Sequence, residues 1–260
     1  MRFSITILFL LVCGFLKAQD NHFYPLRSGS SEADSLYEVA MHAMLNGENK
    51  SFFRHIEEVI KLDSNCFKGY AHAALLTHRL TGGLAPFDTL AKTALSIGSR
   101  DWADQAYTKM LTSKLTSPDA EVTESFAQFV SNDPKIEGYI ILGDYLMKSG
   151  DVEAAHLNFY RAFRLDENFT PSYRLLSQTS QKLGYVEVAD YMMKSYVAKS
   201  PAQARTCDVY GDFLMKKGHH EAAIEQFKKA YQLDNAYQLS LEKADKLAAA
   251  LAEKKSASKE

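Results

Sequence analysis

Cysteine, proline and glycine are all scarce in this chain, with 3, 6 and 13 residues among 260. Three cysteines cannot build a disulfide framework. So little glycine and proline argues against many short strands joined by tight turns. Neither charge is in excess: 30 basic residues face 32 acidic ones, a net charge of −2. That balance excludes a strongly basic surface tracking nucleic-acid phosphates. What is present, 46% hydrophobic and 24% charged residues, excludes intrinsic disorder and suffices to bury a sizeable core. The composition describes a helix-rich soluble chain.

The N-terminus reads as an address. Met1-Arg2 is positive, Ile5 to Leu16 is a mostly apolar run of twelve residues, and Lys17-Ala18-Gln19-Asp20 turns polar. A bilayer-spanning helix needs about twenty apolar residues, so the run fits a secretory signal peptide over residues 1–18, cut near Ala18 or Gln19. Leu16 stands where the cleavage site prefers a small residue. A lipid-attachment cysteine follows Gly, Ala or Ser, and Cys13 follows Val12, so lipid anchoring there is disfavoured. Cleavage leaves a net charge of −4, no stable membrane span, and only Cys66 and Cys207. The repeat register places these two far apart, as buried and unpaired thiols. Residues 19–32 have no period and carry Pro, Gly and Ser, so a flexible leader is expected.

The body repeats every 34 residues. Gly150, Gly184 and Gly218 keep that step, as do Ala155, Ala189 and Ala223, and Phe159, Met193 and Phe227. Each unit reads as helix, turn, helix. In the best-formed one, Tyr139, Leu142, Gly143 and Leu146 make an apolar stripe at helical spacing. Gly150 supplies the left-handed turn, Asp151 caps the second helix, and Ala155, Phe159 and Ala162 face back. Gly143 and Ala155 let the two helices approach closely.

These residues resemble the tetratricopeptide repeat family, whose 34-residue pattern runs W-x2-L-G-x2-Y, then A-x3-F, then P. The match is strongest over 136–237, three units carried by Tyr139/Leu142/Gly143, by Tyr173/Leu176 with Ala189/Met193/Pro201, and by Tyr210/Gly211/Leu214 with Ala223/Phe227/Ala230. Ser177 replaces the glycine of the middle unit. Residues 33–135 hold three degenerate units, marked by Ala40 and Gly47, by Tyr70, Ala74 and Gly82 or Gly83, and by Trp102, Ala106 and Tyr107. Leu241, Ala244, Ala248 and Leu251 continue an apolar stripe through a capping helix over 238–255, and 256–260 is a disordered tail. The resemblance implies an all-α solenoid of about six antiparallel helix pairs with a capping helix.

Catalytic constellations are missing. Gly82-Gly83 lacks a phosphate-loop pattern. His72 and His78 are six apart and do not share a helix face, and His219-His220 reads as an exposed turn. Asp144 and Asp212 lie two units apart, too distant for paired acid–base work. Helix polarity explains Glu153, Glu187 and Glu221. No enzyme, metal site or cofactor is expected.

As the resemblance implies, the first helix of each unit lines a concave groove where peptides dock. The candidate residues are Ile140, Asp144, Met147 and Lys148, then Arg174, Gln178, Gln181 and Lys182, then Asp208, Asp212, Met215 and Lys216. Lys148, Lys182 and Lys216 also sit where a cation favours the last carbonyls of a helix. Ile140, Asp144, Asp208 and Asp212 disfavour the family's carboxylate clamp for chaperone C-termini. The reading is an exported scaffold, periplasmic or secreted, that binds a protein or peptide and no nucleic acid. The rival is a structural subunit of an envelope or secretion assembly that uses convex or end surfaces.

Overall fold

The computed structural model describes residues 22–82, 85–117 and 122–257. The expected signal segment, Cys13, Gly83 and residues 258–260 lie outside them. The described residues form thirteen α-helices and no strand. Helices α1 (Ser31–Asn46), α2 (Asn49–Leu62), α3 (Phe67–Thr81), α4 (Ala85–Ile97), α5 (Trp102–Thr116), α6 (Thr123–Asn132), α7 (Ile136–Ser149) and α8 (Val152–Leu165) belong to one compact unit ending at Asn168. A second unit begins at Phe169 and holds α9 (Thr170–Lys182), α10 (Val186–Lys199), α11 (Ala204–Lys216), α12 (His220–Leu233) and α13 (Gln238–Ala257). Successive helices pair as α1/α2, α3/α4, α5/α6, α7/α8, α9/α10 and α11/α12, with α13 packed on α12. The division into units falls one pair later than the sequence step from degenerate to well-matched repeats.

Gly150, Gly184 and Gly218 occupy equivalent corners after α7, α9 and α11, at φ 92°, 80° and 79°. Only glycine adopts that left-handed conformation without strain. Asp151 caps α8 by accepting from the Ala154 amide at 3.0 Å. Inside the pairs, a Cβ on Gly143 would overlap the Phe159 ring, and one on Gly211 would stand 2.6 Å from Phe227. Both rings are buried against the bare helix backbone. Ser177 holds the same register position opposite Met193 rather than a ring. Its hydroxyl donates to the Ala189 carbonyl at 2.8 Å.

The first unit buries one core from α3 to α7, with Phe67, Phe87, Tyr107, Met110, Phe126 and Phe129 among its members. Trp102, a marker of the third repeat, is 43% exposed and lies against Phe129, with ring centroids 4.4 Å apart. Asp101 caps α5 through the Asp104 amide (2.9 Å) and accepts from Lys68 Nζ (2.9 Å). Burial opposes its charge, but these two contacts outweigh that and hold its pKa below the ordinary 3.8. A depressed carboxylate contributes stability above its unfolded-state pKa, and that contribution is lost as pH falls through the folded-state value. Unit 1 should therefore weaken below about pH 4, and Asp101→Asn should lower stability near neutrality while flattening this acid loss. Thermal melts of both proteins from about pH 6 to about pH 3 check it; parallel curves refute it.

Residues 22–32 of the expected flexible leader are docked. Phe23, Tyr24 and Leu26 are buried, and Tyr24 joins the core of the first unit. Cys66 and Cys207 are free and buried, as expected. Cys66 Sγ accepts from the Gly69 amide at 3.2 Å at the start of α3. Burial pushes its thiol up to about 11 and also raises that of Cys207. Neither forms the reactive thiolate readily. At about pH 8 a thiol reagent should label both at least about tenfold more slowly in the folded protein than in guanidinium. Fast labelling of the folded protein would contradict the burial.

Candidate functional site

One side chain from each first helix of unit 1 meets at a buried centre: Tyr37 of α1, His72 of α3, Tyr107 of α5 and Glu137 of α7. His72 Nδ1 lies 2.8 Å from the Lys68 carbonyl. A carbonyl only accepts, so Nδ1 carries a proton, and Tyr37 Oη, 3.2 Å away, accepts as well. Nε2 lies 3.0 Å from Glu137 Oε1, so a proton also sits on that contact, whichever group holds it. Tyr107 Oη donates to the same oxygen at 2.5 Å. The other carboxylate oxygen accepts from the Tyr24 amide at 2.9 Å. Burial first, and then the Glu137 charge, hold the Tyr24, Tyr37 and Tyr107 phenols well above their ordinary pKa, so they stay protonated.

The leader closes this centre from one side. Glu137 N donates to the His22 carbonyl (2.9 Å), Tyr24 Oη donates to the Asp133 carbonyl (2.8 Å), and Lys68 Nζ donates to the Pro25 carbonyl (2.9 Å). His22 Nε2 lies 2.8 Å from Asp166. Room for Tyr24 comes from Gly138, where a Cβ would stand 2.5 Å from the tyrosine hydroxyl. The C-terminal ends of α1, α3, α5 and α7, together with Thr123 at the start of α6, line a cavity of about 190 Å³. Met44, Leu45, Leu75, Leu76 and Ile141 make its apolar wall, with Arg79, Lys114, Asp144 and Lys148 among its charged groups.

Of the candidate groove residues in unit 1, Asp144 and Lys148 stand at this cavity. The Arg79 guanidinium donates to Asp144. Ile140 is a correction: at 1% exposure it belongs to the core, because it faces inward where a surface stripe was expected. Met147 is half-buried and Lys148 is exposed. In unit 2, Arg174 and Asp208 are buried as well. Arg174 reaches Gln178 Oε1 at 3.3 Å. Asp208 and Asp212 are drawn together by Lys243 of α13, whose ammonium lies 3.0 and 2.9 Å from them, and Ser240 Oγ donates to Asp208 at 2.8 Å. Burial works against the Lys243 charge, but hydrogen bonds to Asp212 and Asp208 outweigh it and raise its pKa. Met215 packs in the cluster of Leu214, Phe227 and Ala244. Gln178 and Gln181 are half-buried, while Lys182 and Lys216 are exposed.

His72 is held in the buried centre, and His78 stacks edge-on against Phe87 at 4.9 Å, so the two serve different parts of the packing. Among the described residues, no three of His, Cys, Asp and Glu converge as a metal site. None of the described helices is long and apolar enough to cross a membrane.

Helix pairs turning on glycine, with a small residue facing a large one, define a tetratricopeptide-type fold. Residues 204–237 match the family model described as tetratricopeptide repeat. No curated protein matches it by sequence. Among solved structures it is similar to yeast Tom70, with 15% identity over 84% of this chain and 50% of that one, at a TM-score of 0.51. It is also similar to PilW, a type IV pilus biogenesis factor, with 19% identity over 83% of this chain and 99% of that one, at a TM-score of 0.49. What is shared with Tom70 at that identity is the fold.

Proposed function

We propose that the protein is an exported, non-enzymatic scaffold that binds a protein or peptide through the exposed parts of its first-helix faces, at the cell periphery or beyond. The observation that carries this reading is the tetratricopeptide repeat itself, a module whose conserved-pattern positions here, Gly211, Ala223, Phe227 and Ala230, all serve packing. That leaves the solvent-facing positions to differ from one module to the next. Lys148 beside the unit 1 cavity, and Gln181, Lys182 and Lys216 in unit 2, are the surviving groove candidates. A photo-crosslinking residue at position 148 or 216 should capture a partner in intact cells, and charge reversal of Lys148, Lys182 and Lys216 together should reduce the capture. Undiminished capture in the charge-reversed protein rejects groove binding.

One observation favours the rival, a structural subunit of an envelope assembly. Tyr185, Val186, Val188 and Tyr191 expose apolar surface together around the start of α10, with Tyr191 65% exposed. Contiguous apolar surface of this kind marks association sites. A stable high-mass species in native extracts, dispersed by Tyr191→Glu, supports the subunit; a free monomer supports the adapter.

A further inference from the structure

The apolar surface around the start of α10 continues as a seam along that helix. Val188, Tyr191 and Ser195 follow one another at steps of three and four, on the side turned away from the buried Ala189, Met193 and Tyr196. Val188 is 43% exposed and Tyr191 65%. A seam at this spacing is what one helix presents to another. Its two borders differ in chemistry. One carries Tyr185 and Met192, seven residues apart, and the other carries the exposed Glu187 and Lys194, also seven apart. Within α10 these two charges stand about 10 Å apart along the axis, too far to pair. The only acid three or four places from Lys194 is Asp190, and Lys217 already holds it at 2.5 Å. No basic residue stands three or four places from Glu187.

A second copy of α10, running antiparallel, matches both borders at once. When Val188 layers on the partner's Tyr191, Glu187 faces the partner's Lys194, and Tyr185 packs on the partner's Met192. Two-fold symmetry repeats each of these contacts. A parallel copy would instead set Lys194 against the partner's Lys199, like charge against like. We propose that the protein forms a two-fold homodimer through antiparallel pairing of α10 with its own copy. The contact rests on the subunit reading for its surface and supplies the partner that reading leaves open; it is independent of groove binding. One helix from each copy makes a small interface, so dissociation constants of about 10–100 µM are expected.

The test is sedimentation equilibrium of the purified, folded protein from about 1 to about 300 µM. Tyr191→Glu should be monomeric throughout. Glu187→Lys and Lys194→Glu each turn two opposite-charge pairs into like-charge ones, and each should weaken the dimer about tenfold. The double variant Glu187→Lys, Lys194→Glu exchanges the signs and restores both pairs. Its dissociation constant should return to within about threefold of the original, which a merely sticky surface would not show. Lys194→Glu lies in mid-helix and keeps the test valid if Glu187→Lys loosens the start of α10. A monomer at every concentration, charge reversals without effect, or a double variant as weak as the single ones would overturn the proposal. A monomeric purified protein that still runs at high mass in native extracts rejects the homodimer and leaves the subunit reading standing.

Discussion

Glu137→Ala is expected to destabilise unit 1 by about 3–5 kcal/mol, since each buried group left without its hydrogen-bond partner costs about 1–3 kcal/mol. The substitution strips the acceptor from three groups at once: His72 Nε2, the Tyr107 hydroxyl and the Tyr24 amide. All three lie in residues at most 1% exposed, so water cannot replace the lost oxygens without opening the centre. Glu137→Gln should recover part of the loss, because its amide oxygen can still accept from Tyr107 while its NH₂ can face a neutral imidazole. Tyr24→Ala should cost about 3 kcal/mol by emptying the leader's place in the core. Amide hydrogen exchange separates the two units in one experiment. Protection should fall for α3, α5 and α7 and be retained for α11 and α12. Unchanged exchange in α3 and α7 of Glu137→Ala would show that the centre is ornamental.

The second large effect concerns the register position shared by Gly143, Ser177 and Gly211. Gly211→Ser should cost about 2–3 kcal/mol, since even a Cβ there stands 2.6 Å from the Phe227 ring. The middle pair shows how the chain accommodates serine: Met193, unbranched and flexible, faces Ser177, where the other two pairs have a ring. Phe227→Met alone leaves space beside Gly211 and should cost about 1 kcal/mol. The double variant Gly211→Ser, Phe227→Met should be more stable than Gly211→Ser by itself, with a coupling of at least about 1 kcal/mol in urea denaturation. Additive losses would mean that ring and serine do not compete for the same space.

This exchange was readable in the sequence because it repeats. Glycine corners and small-against-large positions recur at a fixed step, and recurrence separates them from noise. The buried centre left no such trace. Glu137 reads as an ordinary acid in the first turn of a helix, a place helix polarity already explains. His72 looks like one of two unrelated histidines. The leader was missed for a related reason: its partners include Lys68, Asp133, Glu137 and Asp166, between 43 and 144 residues away. Local pattern carries no information about such contacts, and a short aperiodic stretch with proline looks the same whether it is docked or free. The groove stripe was half legible. Spacing selects a helix face, but it does not reveal that Ile140 turns inward or that Lys243 claims Asp208 and Asp212.

Repeat proteins ordinarily lengthen or shorten by whole modules, because each module touches only its neighbours. The meeting of Tyr37, His72, Tyr107 and Glu137 removes that freedom from the first four helix pairs. Duplicating or deleting any one of them would leave a single node with a spare or missing spoke and would pull the N-terminal strap off its anchor. The gene for this half of the protein is thus constrained to a fixed module count, and divergence among relatives of this chain should fall instead on the length of the second half.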